Sequence, residues 1–162
     1  TILRDLLRDG RSNFQGVHER VENCEIRPRG PRPGKIPLVV GTNGERLLKL
    51  AAREADGWNT TWVSHPSEIR ALREAVDAAC DAVGRDPATL SRSACIYIDL
   101  PGRARRFPRP DPVLPARSPA EVADVLHAYA SEGLDHVMVW LDPNSLAGIE
   151  TFSRSLELLD AD

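Results

Sequence analysis

The sequence has no apolar run approaching the ~20 residues that a membrane-spanning helix needs, and no signal-peptide pattern opens it. A cytoplasmic protein with no membrane partner is the expectation. Its cysteines, Cys24, Cys80 and Cys95, are scattered, odd in number and without a Cys-x-x-Cys pair, which argues against both a disulfide framework and a zinc site. Cys80 falls in a helical pattern and Cys95 in a strand pattern, so both read as buried, inert thiols. His18, His65, His127 and His136 stand in unrelated contexts, and no metal-ligand spacing links them. No serine sits in a nucleophile elbow. With a net charge of −3 and a pI of about 5.8, nothing marks nucleic acid as the partner. The residues form no acid–base or nucleophilic constellation, and no catalytic residue is assigned.

What is present is an ordinary globular composition, 41% hydrophobic and 28% charged over 162 residues, enough for one domain with a real core. The most informative stretch is PLVVGTNGERLLKLAAREADGWN, residues 37–59. A short β-branched run (Leu38, Val39, Val40) stops at Gly41-Thr42-Asn43-Gly44, a helix-forming segment follows at once, and a second strand opens at Asp56-Gly57-Trp58-Asn59. A strand that turns directly into a helix presents unpaired N–H groups at the positive end of the helix dipole, an arrangement suited to phosphate. The plainer reading is that Asn43-Gly44 supplies only the positive φ of a tight turn.

Strand-then-helix units recur four times from Leu38 onward. The first pairs residues 38–41 with a helix over about 45–55, whose apolar face is Leu47, Leu48, Leu50, Ala51 and Ala52. The second pairs residues 57–61 with a helix over about 66–83, begun by Pro66, with His65 at the cap position, and ended by Gly84. The third pairs residues 93–100 with a helix opened by the capping box Ser118-Pro119-Ala120-Glu121. The fourth pairs residues 136–141 with a helix over about 144–159. Alternation of this kind predicts an α/β fold with parallel pairing and right-handed crossovers, as an open doubly wound sheet or as half of an eight-stranded barrel.

Ahead of these units, residues 1–36 read as a separate region. Ile2 to Leu7 resembles the tail of a helix already under way, as in a piece of something longer. Residues 14–26 alternate as a small hairpin or an extended excursion, and a Pro/Arg-rich connector follows over 27–34.

The segment from Pro37 to Asn59 resembles the central signature of luciferase-like monooxygenases, particularly the deazaflavin-dependent (coenzyme F-420) oxidoreductases. Three further stretches are similar to that family: Arg27-Pro28-Arg29-Gly30-Pro31-Arg32-Pro33 before the strand, Gly84-Arg85-Asp86-Pro87 after a helix, and the final Gly133 to Pro143. Family members are (β/α)8 barrels about twice this length. The resemblance therefore implies the C-terminal half of such a TIM barrel, strands five to eight, formed by residues 37–162. It implies hydride transfer between the deazaflavin and a small organic substrate, with FMN as the alternative cofactor.

By position, the resemblance places the cofactor phosphate on the amides of Gly44, Glu45 and Arg46, beside Gly41, Thr42 and Asn43. Glu45 must then direct its carboxylate away. Strand C-termini face the active site in such barrels, which singles out Asn59, Thr60, Thr61, Asp99 and Asp142. Asp142-Pro143-Asn144 either caps the last helix or contacts a ligand. Trp58 and Trp140 read as core residues. The proline- and arginine-rich stretch 100–117 (Arg103, Arg105, Arg106, Arg109, Arg117) is a solvated loop, or a lid or basic contact for the acidic tail of the deazaflavin. The competing class is a non-catalytic half-barrel acting as a binding or assembly module, a homodimer if this chain is the whole protein.

Overall fold

The computed structural model describes residues 1–101 and 118–161. Helix α1 (Ile2–Asp9) ends on Gly10 at φ 78 and leads into a hairpin of β1 (Arg11–Gln15) and β2 (Arg20–Glu25), so residues 14–26 are indeed largely hairpin. The strand–helix units follow: β3 (Val39–Gly41), α2 (Glu45–Glu54), β4 (Gly57–Val63), α3 (Pro66–Asp81), β5 (Ser91–Asp99), α4 (Pro119–Ser131), β6 (His136–Asp142) and α5 (Leu146–Leu159). Strands β3 to β6 form one four-stranded sheet in chain order, parallel throughout. Helix α1 is tied to this sheet's N-terminal end by the Arg8–Asp56 ion pair at 2.7 Å and by Arg4–Glu54.

Burial alternates along the strands. In β5, Ala94, Ile96 and Ile98 point to the helices and are at most 1% exposed. They meet Ile69, Val122, Leu126 and Tyr129 in one core cluster. The second cluster packs Leu48, Ala51, Ala52 and Ala55 against Trp58, Val76, Ala79 and Leu90. The run of alanines in α2 thus has a steric role: small side chains there let a helix lie against the indole of the next strand. Tyr129 is buried with its hydroxyl donating to Val63 O at 3.2 Å, and burial pushes its pKa up.

Helix starts follow local chemistry. His65 caps α3 in a full capping box, its ring accepting from Ser67 N while Glu68 accepts from His65 N. Ser118 caps α4 by accepting from Glu121 N at 3.2 Å. For α5 the cap is Ser145, which accepts from Gly148 N, so Asp142 and Asn144 are not its cap. The Gly84-Arg85-Asp86-Pro87 stretch is a scaffold device. Gly84 turns the chain at φ 71, Arg85 donates to Ala52 O and Ala55 O at the end of α2, and Asp86 accepts from Ala88 N.

Candidate functional site

The turn from β3 into α2 is held almost wholly by the strand that follows it. Thr42 N donates to Asn59 O at 3.1 Å. The Trp58 indole N–H donates to Thr42 O at 2.6 Å, and the Thr60 hydroxyl donates to Asn43 Oδ1 at 3.0 Å. Within the turn, Gly44 N donates to Thr42 Oγ1 at 3.2 Å. Trp58 and Thr60 are buried, so the turn is bolted to the core by side chains whose positioning role spacing alone does not reveal. Their signal is the Asp-Gly-Trp-Asn-Thr order itself.

The same order explains the start of β4. Asp56 accepts from Leu38 N at 2.8 Å and from Arg8 at 2.7 Å. Partial burial works against its charge, but these two donors hold the carboxyl below its usual range. A Cβ on Gly57 would lie 2.4 Å from Ser91 Oγ, so a larger residue here would push that hydroxyl off Asp56 O, to which it donates at 3.2 Å.

Gly44 caps α2 at φ −89, and Asn43 is not among the positive-φ residues. The plain reading of a glycine needed for left-handed backbone therefore fails here. A Cβ on Gly44 would meet nothing within 4 Å, so the missing side chain leaves open space over the helix start. Helices α3, α4 and α5 each cap their own amides with a side chain, whereas α2 has none. The first amides to bond back within α2 are those of Leu47 and Leu48, onto Gly44 O, and the amides of Glu45 and Arg46 precede them. Glu45 turns along the helix to Lys49 at 2.7 Å. That hydrogen bond, then the ammonium charge, keeps its carboxyl pKa low. Arg46 and Gly41 are exposed at the same end.

The remaining strand ends lie on the face of the sheet opposite the helices. Asn59 Nδ2 donates to Ser93 Oγ at 3.1 Å, and the Tyr97 hydroxyl donates to Asp142 Oδ2 at 2.6 Å. Trp140 departs from its expected place: it is 43% exposed on this inward face rather than in the core. It meets Trp62, ring centroids 5.6 Å apart and planes tilted by 39°. Cys95 shares this face and is half-buried rather than buried, with burial pushing its thiol pKa up. Cys80 is fully buried, as expected. Among the described residues, no group of three or more His, Cys, Asp or Glu is placed to hold a metal. The arginines of stretch 103–117 lie outside the described residues.

A family model described as luciferase-like monooxygenase matches residues 1–106 of this chain. The chain belongs to that family. A curated relative, the 5,10-methylenetetrahydromethanopterin reductase of Archaeoglobus fulgidus, is 29% identical over 84 residues, 52% of this chain and 24% of the reductase. An F-420-dependent secondary alcohol dehydrogenase, solved with an F-420–acetone adduct, superposes with a TM-score of 0.75 at 14% identity, over 95% of this chain and 58% of the enzyme. Riboflavin lyase, solved with modified FMN and riboflavin, gives a TM-score of 0.69, also at 14% identity, over 93% of this chain and 48% of its own. At that identity the likeness concerns the fold: the four-stranded sheet is part of a luciferase-like TIM barrel. The chain spans well under two thirds of each of these relatives.

Proposed function

We propose that this chain provides the cofactor-phosphate grip and part of the barrel wall of a deazaflavin (F-420)-dependent oxidoreductase. The observation that carries this reading is the start of α2, which among the described residues is the one helix after a sheet strand that lacks a side-chain cap, and which opens on a glycine with free space above it. Backbone amides of Glu45 and Arg46 would hold the phosphate, as amides do at other helix N-termini, with Gly44, whose own amide donates to Thr42 Oγ1, leaving room for it and with Thr42 and Asn43 shaping the turn. The bound deazaflavin would supply hydride chemistry, which the side chains described here do not perform themselves. The chain's own task is to fix the phosphate, through the Trp58 and Thr60 hydrogen bonds that immobilise the turn.

The F-420-dependent dehydrogenase and the tetrahydromethanopterin reductases among the relatives support this choice of cofactor. FMN is the second reading, favoured by riboflavin lyase among the structural neighbours. Both cofactors carry a phosphate, so the turn serves either. A small organic substrate would sit over the strand C-termini. A fluorescence titration of the chain with deazaflavin, FMN and phosphate-free riboflavin, repeated on Gly44→Asp, tests the reading. Phosphate-dependent binding abolished by Gly44→Asp is expected, and equal binding of riboflavin and FMN would overturn it. On its own, the chain is expected to form a homodimer through its sheet edges and inward face. A monodisperse monomer of 17.8 kDa in light scattering would sink that part.

A further inference from the structure

Residues 1–34 are fastened to one another beside the N-terminal end of the sheet. The hairpin is tied back onto α1 and its cap, with Ile26 N donating to Gly10 O at 3.1 Å and Ser12 Oγ to Asp5 Oδ2 at 3.4 Å. The Arg29 guanidinium donates to Arg8 O at 3.0 Å. Gly34 lies so close to the same carbonyl that a Cβ there would stand 2.8 Å from it. The connector is thereby held to α1 as far as Gly34. Lys35, Ile36 and Pro37 follow, all exposed and in no helix or strand.

The join between this unit and the sheet is of a different kind. Neither core cluster contains a residue before Val40, and α1 buries none of its own. Within residues 1–34, Gly10 and Ser12 alone are buried. Among the described residues, the side-chain bonds from the unit to the rest of the chain are Arg4–Glu54 and Arg8–Asp56, the latter at 2.7 Å. Both stand at the end of α2 away from Gly44, and their side chains are between 30% and 48% exposed. Ion pairs this open to water contribute little each and are screened by salt. A unit joined by them, outside the apolar core, comes away at lower cost than the sheet unfolds.

We propose that residues 1–34 are an arm, latched to the sheet by Arg4–Glu54 and Arg8–Asp56, that swings out about Lys35, Ile36 and Pro37 as salt rises. The arm keeps its own helix and hairpin when it opens, and the carboxylates of Glu54 and Asp56 lose their arginines. Asp56 still accepts from Leu38 N, so the start of β3 stays in place. The latch rests neither on the phosphate turn nor on the pairing of copies proposed above.

Lysine provides the probe. The two lysines of the chain are Lys35 in the hinge and Lys49 in α2, so a lysine-specific protease reads the arm and the sheet separately. Cleavage of a segment that opens transiently tracks the population of its open form. Cleavage after Lys35 in the full chain is expected to quicken about fivefold between about 0.02 M and about 0.5 M sodium chloride, with Lys49 left intact. Arg4→Glu is expected to raise the low-salt rate about threefold, and Arg4→Glu/Glu54→Arg to bring it back. Arg8→Gln, which introduces no repulsion, should raise it about twofold. Equal rates at both salt levels, or an Arg4→Glu rate unchanged from the parent, overturn the proposal. So does a short peptide spanning Lys35 that is cut faster with salt to the same degree, since the response is then the protease's own. Lys49 cut in step with Lys35 also overturns it, because the sheet then opens with the arm. If Arg4→Glu and Glu54→Arg chains slow each other's cleavage on mixing, the arm reaches a second copy and a latch within one chain is refuted. None of these rates involves a cofactor, so the latch and the phosphate grip fail separately.

Discussion

The two faces of the parallel sheet are built from alternate residues of the same strands, yet they have opposite fates. On the helix side of β5, Ala94, Ile96 and Ile98 are sealed beneath α3 and α4. On the inward side, Cys95 is half-buried, Tyr97 donates its hydroxyl to Asp142, and the indoles of Trp62 and Trp140 meet with much of their surface exposed. One face is satisfied within this chain, and it carries the stability. The other leaves aromatic and polar groups partly exposed toward the C-terminal ends of the strands. The difference teaches that alternation in a strand separates two faces without saying which of them is filled.

The sharpest way to break this comparison is to truncate one residue on each face. Ile96→Ala should cost about 3 kcal/mol in urea unfolding, because the cavity it leaves is enclosed by other core residues. Trp140→Ala, removing a much larger but half-exposed ring, should cost less than about 1.5 kcal/mol. Equal costs would mean that the inward face is part of the core. A smaller effect is expected at Trp58→Phe, which keeps the ring in its pocket but removes the indole donor to Thr42 O. About 1–2 kcal/mol of stability should go, the usual cost of an abandoned buried acceptor, and phosphate-bearing cofactors should bind more weakly in the same titration.

Gly44→Ala should cost only about 0.5 kcal/mol, since alanine is a poorer N-cap than glycine and its Cβ meets nothing. Its effect should fall on cofactor binding, and a thermal melt set beside a titration separates the two. The smallest change belongs to Asp56→Asn. The folded carboxyl is held below its usual 3.8, so its contribution is complete above about pH 5 and lost as pH falls through the lower folded value. The parent should therefore lose stability between pH 5 and 2 more steeply than Asp56→Asn, by a small amount because the side chain is 38% exposed. Unfolding midpoints across that range would show parallel curves if the Arg8 and Leu38 contacts were inconsequential.

Much of the fold was legible in residue order. The Pro37 to Asn59 pattern contained β3, α2 and the opening of β4, and Pro66, Gly84 and Ser118 marked helix ends by their own backbone chemistry. Of the candidate site, the sequence offered only a location. Spacing indicated the turn at Gly41 to Arg46, but the hydrogen bonds from Trp58 and Thr60 that hold it span 16 and 17 residues and depend on how β4 lies beside β3. Strand β4 bulges at Trp62 with no glycine to announce it, since its left-handed residue is a tryptophan. Trp140 looked like core because it stands between Val139 and Leu141, which are packed there, and shares its own face with the apolar Met138.

The order of the sheet has a consequence for how the chain assembles. Among the described residues, the strands of this sheet pair in chain order, so each pairing within it forms between neighbouring units. The β3–β4 and β4–β5 pairs are closed by short crossovers, with only the β5–β6 connection longer, and loop-closure entropy rises slowly with length. A polypeptide of this kind can add one strand and helix at a time as it leaves the ribosome, each unit templated on the edge left by the last.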